Sequence, residues 1–257
     1  MNDQKRNVQA QFGAHAENYV RSAVFASGES LTALVCMAQP QPTWEVLDVA
    51  TGGGHCAFAF APHVRSVIAT DITRPMLEAV ERGARERSLS NVRTEFADAE
   101  SLPYPDASFD LVTCRVAAHH FGEVGLAVHE MARVCKPGGL VAVIDGIAPN
   151  DQAAADEMNA WEGIRDRSHV RLLTIDEWSR LYSEAKLETL PIQTYALALD
   201  FDDHMQRAGC NMQTVEQMRT GLLQSSPSLY NWLRPRQNGA QIMFDWPLIV
   251  IVGRKAP

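Results

Sequence analysis

The sequence predicts an α/β protein built on a doubly wound, mostly parallel sheet. Three observations predict it. Short apolar runs alternate with amphipathic helical runs from Trp44 to Asp145, the first run ends in a triple glycine, and the second ends in an aspartate. Strands that alternate with helices through short connections imply βαβ units. Near-continuous apolar strands are expected where helices cover both faces of the sheet.

Residues 3–38 read as helical, because Phe12, Tyr19, Val20, Val24, Leu31, Leu34 and Val35 recur at roughly helical spacing, with Ser27-Gly28 as an interruption and Pro40-Gln41-Pro42 as a stop. Trp44 to Ala50 is then a strand and His55 to Ala61 a first helix. Ser66 to Thr70 is a second strand, and Arg74 to Ser88 a helix with Met76, Leu77, Val80 and Ala84 on one face. Asn91 to Phe96 and Phe109 to Cys114 are the third and fourth strands. Val124 to Cys135 is a helix, Lys136 to Gly139 a turn and Leu140 to Asp145 a fifth strand. Beyond Pro149 the rhythm breaks: helices are expected at 150–166, 174–186 and 201–224, and strands at Glu188 to Asp200 and Gln241 to Gly253, the last with Pro247 at an edge or bulge. The expected organisation is an N-terminal helical segment over 1–40, a core over 41–149, and substrate-side helices with the final strands of the same sheet over 150–257.

Composition narrows the function. The 257 residues are 46% hydrophobic, enough for one full core with additions, and the net charge is −8 with no long basic run. Nucleic acid binding needs positive charge to displace counterions from phosphates, so a nucleic acid partner is not expected. No apolar run approaches the ~18–20 residues that span a bilayer, and the polar N-terminus lacks the apolar centre of a signal peptide. Cys36, Cys56, Cys114, Cys135 and Cys210 are odd in number and contain no CxxC pair, which fits free thiols in a cytoplasmic protein and argues against a disulfide framework or a zinc site.

The chemistry concentrates at strand ends. VLDVATGGG (46–54) follows a strand and opens a helix, so its glycines let the backbone turn sharply beside a ligand, and the helix N-terminus offers unpaired N–H groups. Asp71 ends the second strand, where a carboxylate in this architecture accepts from both ribose hydroxyls of a nucleoside. Read separately, the glycines are also compatible with an ordinary tight turn, and Asp71 with a helix cap. A dinucleotide pattern wants a third glycine where Ala57 stands; alanine is tolerated there, so NAD is not excluded by spacing. No G-x-x-x-x-G-K-[ST] occurs, which makes a phosphate loop less tenable.

VLDVATGGGHCAFAFA, ATDITRPMLEAV, FADAESLPYPDASFDLVTCRVAAHHF and MARVCKPGGLVAVID resemble, in order, the motifs of class I S-adenosylmethionine-dependent methyltransferases. The resemblance is nearest to the methyltransferase type 11 branch that includes the ubiquinone/menaquinone C-methyltransferases, and RDRSHVRLLTIDEW is similar to generic bacterial members of it. It implies a Rossmann-like, seven-stranded, mostly parallel sheet with N-terminal helices and a C-terminal helical insertion that together form a lid. It implies S-adenosyl-L-methionine as cofactor, S-adenosyl-L-homocysteine as product, and a small-molecule acceptor methylated at oxygen, nitrogen or carbon. By the same resemblance, Ala50, Thr51, Gly52 and Gly54 line the methionine end and Asp48 supports its amino group through water. Asp71 holds the ribose, Ile72 and Met76 pack on the adenine, and Asp98 and Ala99 meet its edge. Arg115 and Val116 lie near the sulfonium, and Phe12 and Tyr19 cover the cofactor. Plain core roles for Met76, Phe12 and Tyr19, and a solvated loop role for Asp98, compete with these.

Methyl transfer from a sulfonium needs alignment first, and a base only where the nucleophile must lose a proton. His119 and His120 follow the fourth strand and are the candidate bases, against a capping or packing role. His169, flanked by Arg165, Arg167 and Arg171, binds an acidic substrate or sits in a solvated loop, and Asp145 orients substrate or caps its strand. Trp161, Trp178, Tyr195, Met205, Met212 and Trp232 are candidate apolar walls or ordinary core. Two other functions fit the same pattern: a nicotinamide-dependent oxidoreductase, for which the full glycine pattern is missing, and a non-catalytic S-adenosylmethionine-binding protein. A homodimer stays open.

Overall fold

The computed structural model describes residues 2–20 and 28–257. Val24 and Ser27, and the side chain of Val20, lie outside the described residues. Strands β1 (Glu45–Val49), β2 (Ser66–Asp71), β3 (Val92–Phe96), β4 (Phe109–Arg115) and β5 (Cys135–Gly146) run parallel, in the order β3-β2-β1-β4-β5. The antiparallel β9 (Gln241–Lys255) then pairs with β5 from Gly146↔Leu248 to Leu140↔Arg254. On its other edge β9 carries β6 (Leu187–Thr189) and β7 (Gln193–Asp200) end to end. Asp200 of β7 and Arg236 of β8 (Arg236–Asn238) both face Met243, so β8 sits on the β5 side, in the position β5 vacates beyond Gly146. The sheet therefore has the seven positions the sequence leads one to expect, mostly parallel, with strand order reversing at β1.

The parallel strands other than the edge strand β3 are buried because helices cover both faces. One layer holds Leu31, Leu34 and Ala38 of the helix Glu29–Ala38, Phe60 of the helix His55–Phe60, and Met158 and Trp161 of the helix Gln152–Arg165, against Val46, Leu111 and Leu140. The opposite layer packs Val128 and Met131 of the helix Val124–Val134, and Trp178 and Tyr182 of the helix Ile175–Glu184, against Leu47, Val112 and Val143. Burying each large apolar side chain is worth about 1.5–3 kcal/mol. The helix Arg74–Glu86 does bury Met76, Leu77, Val80 and Ala84, as its spacing requires.

Four sequence expectations are corrected. Lys136 to Gly139 is no free turn: β5 already begins at Cys135, and the segment bulges out of the ladder between Phe109↔Cys135 and Leu111↔Leu140. The single strand expected at 188–200 is split at Pro191, which cannot donate to the ladder. The helix expected at 201–224 breaks at Gly209, with φ +72°, into Phe201–Arg207 and Met212–Leu223. Pro247 lies at no edge, since β9 is flanked on both sides. Its carbonyl accepts from Ile147 N (3.0 Å) just where β5 leaves the sheet, so its missing N–H faces the gap and costs no ladder bond to β7. Among the described residues no helix is long and apolar enough to cross a membrane, and all five cysteines are free thiols.

Candidate active site

A cleft of about 1330 Å³, its mouth included, opens at the carboxyl ends of β1, β2 and β4, where strand order reverses. Thr51 N donates to Thr70 O (2.8 Å), tying the glycine loop to the end of β2. The buried Asp71 carboxylate accepts from Gly52 N (3.0 Å) and Thr73 N (2.8 Å). Burial pushes its pKa up to about 6 in spite of these two bonds. Asp48 is also buried, which raises its pKa, while its oxygens accept from the hydroxyls of Thr113 and Thr51, each at 2.6 Å. A Cβ at Gly52 (φ +52°) would meet no protein atom within 4 Å, so free space lies directly over the loop.

Two residues on the cleft carry unusual backbone. Ala50, after β1, has φ +51°, and Val116, after β4, has φ +53°. For a β-branched residue this is a true outlier, of order 1–3 kcal/mol, and such strain gathers at functional sites. Ile72, Met76, Ala99 and Arg115 also line the cleft, as do Phe12 and Tyr19, whose rings meet at 5.0 Å. Asp98 lines it with Lys5 seated on its carboxylate at 2.5 Å and on Glu100 at 2.6 Å. Gly54 stands apart from the lining: with φ +80°, it faces Phe58 and Val80, which a Cβ would approach at 2.8 and 3.0 Å. Gly54→Ala is expected to lower stability by about 1–3 kcal/mol, read from urea unfolding.

The other end of the cleft is a buried polar cluster. His119 Nδ1 is 2.6 Å from Asp145 Oδ1, and His119 N donates to Asp145 Oδ2 (2.9 Å). Burial works against a charge on His119, but Asp145, with Glu162 and Asp166 behind it, holds its pKa above the ordinary value. The ring of His120, 4.0 Å away centre to centre, is driven well below that value by burial and by the His119 charge. His120 Nδ1 lies 3.1 Å from Ser168 O. Both histidines line the cleft together with Arg165, Asp166, His204, Arg207 and Trp246.

Several expectations for this end are corrected. RDRSHVR is not wholly solvated: Arg167, Val170 and Arg171 are exposed, but its other polar groups are held inward. Asp166 and Ser168 are buried, Arg165 pairs with Glu162 (2.8 Å), Arg171 pairs with Glu177 (2.7 Å), and His169 Nε2 lies 2.9 Å from Asn159 Oδ1. Asp145 holds His119 and also accepts from Gly146 N (2.8 Å) at the end of its strand. Trp161, Trp178, Tyr195, Met205, Met212 and Trp232 are absent from the lining, Met212 being 89% exposed, and Trp246 and Phe121 line it instead. Lys5, Asp166, His204 and Arg207 carry no motif signal of their own, although Asp166 sits beside Arg165 in RDRSHVR.

Residues 47–143 match the sequence profile of the methyltransferase domain. The chain is 38% identical over 246 residues to the methyltransferase YcgJ of Bacillus subtilis, covering 95% of this chain and 97% of that protein. It belongs to the methyltransferase family. The YcgJ crystal structure covers 89% of this methyltransferase and 98% of that chain with a TM-score of 0.84 at 36% identity. The Bacillus halodurans protein BH2331 gives 0.84 at 31% identity, over 90% of this chain and 100% of the other. The ubiquinone/menaquinone biosynthesis C-methyltransferase UbiE of Pseudomonas entomophila is 29% identical over 182 residues, 69% of each chain. This chain is thus an S-adenosylmethionine-dependent methyltransferase.

Proposed function

We propose that this methyltransferase acts on a small-molecule acceptor, at oxygen, nitrogen or carbon, and releases S-adenosyl-L-homocysteine. One observation carries the reading: a single cleft joins Asp71, at the end of β2, to the His119–His120 pair beyond β4. Val8 and Phe12 of the N-terminal helix Asp3–Val20 and Arg165, Asp166, His204 and Arg207 of the insertion line it. A cleft bounded by two such added segments suits an acceptor that enters whole, and supports the reading of both as a lid.

S-adenosylmethionine supplies, when bound, a methyl group already activated for displacement on a sulfonium. The residues fit it. Asp71 retains two acceptor positions for the ribose hydroxyls after its two backbone bonds, since a carboxylate offers about four. Ala50, Thr51 and Gly52 face the open space over the loop, with the Asp48 carboxylate held beneath by two hydroxyls. Ile72 and Met76 form an apolar bed for the adenine, Asp98 and Ala99 its edge, Arg115 and Val116 the floor near the sulfonium, and Phe12 and Tyr19 the cover. Gly54 acts through the turn it permits. His120, kept neutral beside a charged His119, takes the proton of an acceptor that must lose one.

S-adenosylmethionine and S-adenosylhomocysteine at about a hundred times Kd are expected to stabilise the fold by about 2.7 kcal/mol, a melting shift of roughly 5–10 °C. NAD(H) is expected to give none. A shift with NAD(H) alone would overturn the cofactor reading, and an absence of S-adenosylhomocysteine release across an acceptor panel would reduce the protein to a binder.

A further inference from the structure

We propose that Gln4, on the N-terminal helix, is a positioning residue that fixes the ring tautomer of His120. The proposal rests on the reading of His120 as proton acceptor. His120 ends a single 3-10 turn, Ala118–His120, which is too short to hold a ring by itself. Its Nδ1 faces two oxygens of Ser168, the carbonyl at 3.1 Å and the hydroxyl at 3.2 Å. The carbonyl can only accept, and the hydroxyl proton is already given to Asp166 Oδ1 at 2.6 Å. Nδ1 therefore carries the hydrogen, and Nε2 carries the lone pair that a base needs.

The tautomer thus depends on a carbonyl 48 residues away, in the insertion. Gln4 holds that carbonyl in place. Its Nε2 donates to Ser168 O (2.6 Å) and to His120 O (2.9 Å), so the two protons of one amide join the base to the group that sets it. Ser168 O, with two lone pairs, serves Gln4 and His120 together. Val170 N completes the junction by donating to His119 O (2.9 Å). The same helix is pinned at the cofactor end by Gln9 Nε2 on Ile72 O (2.6 Å) and by Lys5 on Asp98 and Glu100. Gln4 is therefore separable from cofactor binding. Besides His119 and Asp145, the ionisable groups around His120 are Asp166 and His169 of the insertion loop, Glu162 and Arg165 of the preceding helix, and His204.

The test is long-range 1H–15N spectroscopy of the full chain labelled with 15N-histidine, with His120 assigned from His120→Gln. The unaltered chain is expected to show the Nδ1–H form. Gln4→Met keeps the length and removes both donors. It is expected to raise the Nε2–H share and, since the Ser168 carbonyl bond favours the protonated ring, to move the His120 titration further down. S-adenosylmethionine affinity by calorimetry should stay within about threefold. Gln4→Lys returns a donor and should restore the Nδ1–H form. If Gln4→Met does not fold, Gln4→Lys against Gln4→Glu makes the same comparison of donor with acceptor. Identical His120 signals with and without the donor, or an Nε2–H ring in the unaltered chain, would overturn the proposal. Asp71→Asn reports on the cofactor reading separately: it should weaken calorimetric binding by about a hundredfold or more and leave the His120 spectrum unchanged.

Discussion

Replacing Asp71 with Asn is expected to weaken S-adenosylmethionine binding by about a hundredfold or more while the chain still folds. Hydrogen bonds to a charged acceptor contribute about 1.5–3 kcal/mol each, so losing two to the ribose costs on the order of 3 kcal/mol or more, about two decades in Kd. The pH dependence follows from the same group. Burial raises the Asp71 pKa from its ordinary 3.8 to about 6. A raised carboxyl stabilises the ligand-free fold when protonated; that contribution is full below the unfolded value and is lost as pH rises through about 6. At neutral pH the buried charge therefore costs the empty protein on the order of 3 kcal/mol, and cofactor binding draws on the ionised form. Affinity is expected to fall about tenfold per pH unit below about 6, and Asp71→Asn should show weak, pH-independent binding with a neutral-pH melting temperature no lower than the parent's. Calorimetry between pH 5 and 8 measures both, and an Asn variant that binds as tightly as the parent would remove Asp71 from the ribose.

How far the sequence could be read follows from which interactions are local. The strands β1, β2, β4 and β5 are buried on both faces, so they stand out as apolar runs, and most of the proposed cofactor residues lie at or just after strand ends; Asp71 is found by counting to the tip of β2. The breaks at Pro191 and Gly209 depend on what the chain packs against, and each interrupts a segment whose pattern continues across it. The acceptor end is unreadable for a different reason. Gln4 and Ser168 are 164 positions apart, and no periodicity records a hydrogen bond between them. Trp246 lies within an apolar strand and reads as core, although its ring meets His119 at 5.9 Å. Asp166, in an arginine-rich stretch, reads as surface, yet it is 1% exposed.

The second large effect concerns the two histidines, which are adjacent in sequence and unlike in charge. Two protonated rings with centres 4.0 Å apart would repel by about 4 kcal/mol at an effective dielectric near 20, so the pair carries one proton near neutrality. Asp145 decides where it rests. Its carboxylate, 2.6 Å from His119 Nδ1, draws the charge to His119 and leaves His120 neutral, the division expected of a working acid–base pair. His120→Ala is expected to lower turnover by about 10²–10⁴ with S-adenosylmethionine affinity unchanged, for any acceptor that must lose a proton. The rate of the parent should be level through neutrality, since His120 titrates well below and His119 above the ordinary imidazole value. Asp145→Asn removes the charge that localises the proton. The single proton is then shared between the rings, and a larger fraction of His120 is occupied as pH falls. The acid limb of the S-adenosylhomocysteine-release profile should move up toward neutrality in that variant, with little loss on the alkaline side. An acid limb that stays where the parent has it would mean that the proton never depended on Asp145. Full turnover in His120→Ala would mean that the acceptor arrives with its nucleophile already free.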